Sequence, residues 1–322
     1  MGAECSGPCL QVPRLHVITV RKLSPVPGHA APAVSELRAQ APALRQQVLR
    51  VLTAALGGDA LAAEYTLLQL LSSVHKRVGT EAVGRHTLNL SGCPPFECHE
   101  SRQLAQQANA GNIAQIEEQL ARLEARPSPF GAALASVLAE LAPRVRALGL
   151  GNRALNYCSW APRKDHSTNR MLPSVLQLAE GTQLLLDETA LAAGQLGQSG
   201  VINMHVMSKL AGSATLDYDF SFYQTGFEVD TPVTILSNAR TIFNRACDTH
   251  VKLAPTGPMV DAHTVQSALS GCDLGMVRSY LAAAREHRQP PPSAEMTEQI
   301  TRDWNEARKA HPELTASDLN RW

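Results

Sequence analysis

The sequence predicts an α/β fold of three layers, with helices on both faces of a mainly parallel sheet. Short apolar runs alternate with segments of helical periodicity, the order in which parallel strands are joined by crossover helices. The composition points the same way. Of 322 residues, 44% are apolar and only 4% aromatic, which favours Ala- and Leu-rich helices over an all-β sandwich.

The elements follow in order. Residues 1–40 read as a short strand, Leu15–Val20, and a Pro-rich linker. From Val34 to Leu56 apolar residues recur at helical spacing (Leu37, Leu44, Val48, Val51, Leu52), and Gly57-Gly58 ends that helix. Leu61–Val74 reads as a second, more apolar helix, and His86–Leu90 as a strand closed by Ser91-Gly92-Cys93-Pro94-Pro95. Residues 100–126 are different: Gln103, Gln106, Gln107, Gln115 and Gln119 alternate with Glu117, Glu118, Arg122 and Glu124 around a thin apolar seam. So polar a stretch predicts an exposed helix or disorder, inside an insertion of about 96–129. Ala132–Leu148 reads as an amphipathic helix, Leu155–Trp160 as a strand and 162–170 as a polar loop. Thr182–Leu186 is an apolar strand ending in Asp187-Glu188, and Thr189–Leu210 is helical in places. Leu216–Phe222 alternates as a half-buried strand of the same sheet, and Val233–Leu236 is a buried strand followed by Ser237-Asn238. After Pro255 the chain is helical, with a break at Pro290-Pro291-Pro292, a helix at Met296–Ala310 and a new helix start at 315–318. The expected organisation is therefore 1–40 as strand and linker, 41–254 as the α/β domain, and 255–322 as a helical region that ends as an incomplete lid.

Three segments bear on chemistry. Gly58-Asp59-Ala60-Leu61-Ala62-Ala63-Glu64-Tyr65 falls where a phosphate loop would lie. Such a loop needs a lysine for the β- and γ-phosphates and a small hydroxyl for Mg²⁺. Glu64 stands in place of the lysine and Tyr65 in place of the hydroxyl, and a carboxylate beside a triphosphate repels it. Leu184-Leu185-Leu186-Asp187-Glu188 is an apolar strand with an acidic pair, the pattern that organises Mg²⁺ and polarises water in nucleotide hydrolases. It is also what any buried strand with a polar solvent end looks like. Val233–Ser237 ends in Asn238, as does a strand whose Asn senses a γ-phosphate, or one that Asn simply caps. The basic loop of Arg163, Lys164, His166 and Arg170 is a phosphate contact or an ordinary solvated loop.

Several strings resemble one family, the mini-chromosome maintenance (MCM) complex-binding proteins. They are Val12–Val17, Leu56–Tyr65, Leu88–Pro94, Lys164–Arg170, Leu186–Thr189 with Gly194–Leu196, and Asp217–Phe220, in family order from about Val12 to Leu319. The resemblance implies a degenerate AAA+/MCM-like domain. It also implies a nuclear, non-catalytic adaptor that binds MCM helicase subunits, acts in their assembly on or removal from chromatin, and has a link to sister-chromatid cohesion. The degenerate nucleotide-site positions are then Gly58, Glu64, Tyr65, Asp187, Glu188 and Asn238, with no catalytic residue and no cofactor. The alternative is a weak ATPase or nucleotide sensor, favoured by Asp187, Glu188 and Asn238 and opposed by Glu64.

Composition narrows the remaining classes. Lys and Arg number 29, as do Asp and Glu, so direct nucleic-acid binding through a broad electrostatic footprint is not expected. No apolar run reaches the 18 residues of a membrane span. Seven irregularly spaced cysteines fit a reducing compartment better than a disulfide framework. Cys93-x₄-Cys98-His99 lacks the paired spacing of structural zinc, so no metal is expected.

Overall fold

The computed structural model describes residues 33–107, 113–287 and 293–314. The predicted strand Leu15–Val20, most of the linker, the Pro290–Pro292 break and the helix start at 315–318 lie outside these residues. The first helix, α1 (Val34–Ala55), buries Leu37, Leu44, Val48, Val51 and Leu52, the stripe whose spacing predicted it. Gly57 and Gly58 have positive φ (65° and 91°), which lets the chain reverse tightly into α2 (Ala60–Leu71). A hairpin of β1 (Lys76–Val78) and β2 (Glu81–Val83) leads to β3 (Leu88–Ser91). Next come α3 (His99–Ala105), α4 (Ile113–Glu124), α5 (Pro129–Leu141), β4 (Val145–Gly149) and α6 (Asn152–Tyr157).

The second half holds β5 (Arg163–Asp165), β6 (Arg170–Leu172), β7 (Gln183–Asp187), α7 (Gln198–Ser213), β8 (Thr215–Asp219), β9 (Gln224–Glu228), β10 (Val233–Ser237) and β11 (Thr249–Lys252). Three helices follow: α8 (Ala262–Ser270), α9 (Leu274–Glu286) and α10 (Ala294–Ala310). The central sheet has the order β11-β3-β10-β7-β4, and every pairing in it is parallel. Alternate residues of its strands serve opposite faces. Leu185, Leu236, Leu88, Leu90 and Val251 join the core built with α1, α2, α5, α8 and α9. Leu184, Leu186, Val233 and Ile235 join the core on the other face with α6 and α7. Each such side chain contributes about 1.5–3 kcal/mol by leaving water. The predicted parallel α/β arrangement is therefore present. Among the described residues no single helix is long and apolar enough to cross a membrane.

Five expectations need correction. The polar loop expected over 162–170 holds β5 and the start of β6, paired antiparallel, with only the residues between them as a turn. Leu216–Phe222 does not join the central sheet. Its strand, β8, lies in a second sheet of order β6-β5-β8-β9, pairing parallel with β5 and antiparallel with β9. Alternation marks a half-buried strand in any sheet and does not name the sheet. Leu155–Trp160 is not a strand: Ala154 and Leu155 are adjacent and both buried on α6, while Trp160 lies beyond it and donates its Nε1–H to Ala154 O at 3.0 Å. The helix expected over Ala132–Leu148 stops at Leu141. Pro143 disfavours helical backbone at Ala142, and residues from Val145 form β4.

The largest correction concerns residues 100–126. Ile116, Leu120 and Ala121 of α4 are buried (Leu120 is 1% exposed), and α4 packs on α6. Glu124 accepts hydrogen bonds from Arg153 N (2.9 Å), Arg153 Nη1 (3.0 Å) and Ser101 Oγ (3.1 Å). Gly149 N donates to Ala125 O at 2.9 Å. The stretch is built into the fold, because three buried residues and one bonded carboxylate suffice to dock a helix whose other face is polar.

Candidate functional site

Open α/β sheets place their ligands at the carboxyl ends of their strands. Here those ends are Ser91-Gly92-Cys93 after β3, Asp187-Glu188-Thr189 after β7 and Ser237-Asn238 after β10. Backbone bonds knit them together: Gly92 N donates to Asn238 O (3.2 Å), Cys93 N to Ser237 O (3.0 Å) and Glu188 N to Leu236 O (2.8 Å). Asn238 donates its side-chain amide to Thr189 O at 3.1 Å. Asp187, Glu188 and Asn238 are thus brought together.

The two carboxyls are both occupied. Asp187 is 1% exposed. Its Oδ2 accepts from Ser128 N (2.8 Å) and Ser128 Oγ (2.6 Å), and its Oδ1 from Thr189 N (3.0 Å) and Thr189 Oγ1 (2.6 Å). Four donors fill the acceptor sites of a carboxylate. Ser128 is the N-cap of α5, its Oγ accepting from Gly131 N at 3.0 Å. The Asp187 carboxylate therefore sits at the N-terminus of α5, the place where a helix attracts an anion. Gly131 permits this approach: a Cβ there would run into the carboxylate. Glu188 accepts from Thr241 Oγ1 (2.5 Å) and Ile242 N (3.3 Å). Burial raises its pKa to about 7, against the pull of those two hydrogen bonds.

Gly58, Glu64 and Tyr65 lie elsewhere. A phosphate loop joins a strand to a helix, whereas this segment joins α1 to α2. Gly58 faces Thr256, and Glu64 pairs with Arg45 on the surface. Tyr65 packs against the α1–α2 core. Asp59 caps α2 by accepting from Ala62 N at 3.0 Å, and its other oxygen accepts from Ala254 N at 2.8 Å. The N-terminus of α2 is thus also held by the chain's own carboxylate. Among the described residues, no hydrogen bond or ion pair links these three to Asp187, Glu188 or Asn238.

The strand that precedes a helix N-terminus at the acidic pair is β3, followed by Gly92-Cys93-Pro94-Pro95 and, after α3 and α4, by Ser128-Pro129. Three of those residues are prolines with no N–H to offer a phosphate. Cys93 is buried, its thiol on Leu90 O at 3.3 Å, and burial pushes its pKa up to about 12, so it is not a nucleophile at neutral pH. Ser128, Gly131, Thr189 and Thr241 were missed from sequence. Ser128-Pro129 is a readable helix start, but nothing in the sequence shows that it meets Asp187. Among the described residues, no group of three or more His, Cys, Asp or Glu is arranged to hold a metal ion.

Comparison with known proteins gives a family. The family model described as "Mini-chromosome maintenance replisome factor" matches residues 3–322. Proteins named "Mini-chromosome maintenance complex-binding protein" are similar over nearly the whole chain. The Danio rerio protein is 31% identical over 328 residues, covering 98% of this chain and 47% of its own length. The Homo sapiens protein is 32% identical over 330 residues, covering 98% and 46%. An Arabidopsis thaliana relative is 32% identical over 243 residues, covering 73% and 35%. The chain spans about half the length of the first two of these curated relatives, and about a third of the Arabidopsis one.

Proposed function

This chain belongs to the mini-chromosome maintenance replisome factor family, and from that premise we propose that it is a non-catalytic adaptor that binds subunits of the MCM helicase in DNA replication. The relatives carry that binding in their names. Within this reading the chain works in the nucleus, acts in assembling MCM subunits on chromatin or removing them, and has a link to sister-chromatid cohesion. Residues 41–254 form a degenerate AAA+/MCM-like body with 255–322 as its helical extension.

One observation carries the non-catalytic part. Asp187, the residue that would organise Mg²⁺, has four protein donors on its two oxygens. Its carboxylate holds the helix N-terminus that a phosphate would need. A magnesium–nucleotide complex would have to break those bonds. The convergence of Asp187, Glu188 and Asn238 favours a second reading, a weak ATPase. The test is capture of MCM subunits on the tagged chain, with phosphate release from ATP measured in parallel. Capture without turnover supports the adaptor. Turnover without capture makes the second reading the right one.

A further inference from the structure

The chain is poor in aromatic residues, with 3 Trp, 5 Tyr and 6 Phe. Five of them, Tyr218, Phe220, Phe222, Tyr223 and Phe227, sit on the β8–β9 hairpin of the second sheet. Two pairs brace it: Tyr218 and Phe227 with ring centroids 4.4 Å apart, and Phe220 stacked on Tyr223 at 5.0 Å. Phe222 stands at the tip, 88% exposed, the highest value among the exposed large hydrophobics. Among the described residues its ring partner is His166, at a centroid distance of 5.6 Å and an interplanar angle of 61°.

The turn that displays Phe222 is strained. Positive φ in a hairpin connection is usually taken by Gly or Asn. In the connection Phe220–Tyr223 it falls on Ser221. Ser221 has φ 68°, and the N–H of Phe222 donates across it to Phe220 O at 2.9 Å, the pattern of the rare, strained form of the γ-turn. Asp219 holds the strain by accepting from Ser221 N at 2.8 Å. A bulky ring is thus fixed outward before any partner arrives, which lowers the ordering cost of binding.

Loop 165–170 lies beside the tip, with His166 Nε2 3.2 Å from Phe220 O. The charges are asymmetric. Asp165 is turned onto Ser167 and Thr168, whose hydroxyls and N–H groups lower its pKa to about 2. Asp219 is turned onto Ser221. Arg163 and Arg170 are exposed and carry no ion pair among the described residues. Two of the strings that carry the family resemblance, Lys164–Arg170 and Asp217–Phe220, come together here.

We propose that this tip is the surface by which the chain docks on its MCM partner, Phe222 entering an apolar pocket whose rim is acidic and meets Arg163 and Arg170. The proposal rests on the adaptor reading and adds to it the place of contact. Exposed aromatic knobs beside arginines are the side chains that dominate protein interfaces.

The experiment uses the full chain, immobilised, with the purified MCM complex and its separate subunits as probes. One variant combines Ser221→Gly with Phe222→Ala, which relieves the positive φ at Ser221 and removes the ring. A second, Phe222→Ser, leaves the backbone untouched. Both should melt within about 3 °C of the unaltered chain and lose MCM capture by more than about tenfold. Arg163→Glu should weaken capture by about threefold to tenfold. Capture within twofold in both Phe222 variants would overturn the proposal and leave the adaptor reading standing. If the unaltered chain captures no MCM subunit, both fall. If the variants instead lose affinity for a fluorescent oligothymidine while MCM capture holds, the tip is a single-strand nucleic-acid site and the proposal is overturned.

Discussion

Asp187 and Phe222 invert the usual placement of their residue types. Asp187 is 1% exposed and bound by four donors; Phe222 is 88% exposed, in ring contact with His166. At the carboxyl ends of the sheet, where a nucleotide hydrolase keeps its charges accessible, the acids are sealed and used to hold α5 and the β7–α7 connection. On the hairpin, a ring that folding would bury is displayed on a strained turn. The contrast sets a sealed acidic pair in the first sheet against a displayed ring on the second.

The largest effect that tests this contrast is at Asp187. Asp187→Ala leaves Ser128 and Thr189 with buried donors unmet, and stability should fall by about 4 kcal/mol, read by urea unfolding. Phe222→Ala should cost less than about 0.5 kcal/mol in the same assay. Similar costs at the two positions would break the comparison.

Glu188 sharpens it through pH. Its folded pKa of about 7 lies above the ordinary 4.5, so folding takes up a proton between those values. The stability that Glu188 contributes is complete below about pH 4.5 and is lost as pH rises to about 7. Glu188→Gln should remove this slope and stabilise the chain at pH 8 by about 3 kcal/mol relative to the unaltered protein. Parallel stability curves for the two proteins between pH 5 and 8 would contradict the burial assigned to this carboxyl.

The helical layers and buried strands were legible because one periodicity dominates each. Val48, Val51 and Leu52 mark a helix face, and Leu184–Leu186 and Val233–Leu236 mark strands buried on both sides. Residues 100–126 were not legible, since the seam of Ile116 and Leu120 is outnumbered by glutamine and glutamate, and only the fold shows Glu124 bonded to Arg153. Leu120→Ala should therefore cost about 3 kcal/mol; a cost near zero would restore the exposed insertion that composition suggested. At the site, Asp187, Glu188 and Asn238 could be read from strand ends, but their partners could not. Ser128 is 59 residues from Asp187 in the chain, and no local pattern encodes such a meeting. Conversely, Gly58–Tyr65 matches a pattern whose physical condition, a preceding strand, fails in the fold.

A small effect is also expected in that segment. Glu64→Lys puts a lysine where the sequence pattern wants one, yet it faces Arg45 on an exposed helix pair. It should cost less than about 1 kcal/mol and create no affinity for ATP. Measurable ATP binding by this variant alone would mean that the α1–α2 turn is a phosphate site.

The most direct test of the sealed site is calorimetric titration of the unaltered chain with ATP and Mg²⁺ at pH 7.5. With Asp187 filled by four donors and holding α5, no saturable heat should appear up to about millimolar nucleotide. Saturable binding at micromolar nucleotide would show that a metal–triphosphate complex displaces Ser128 and Thr189 from Asp187, and would contradict the account.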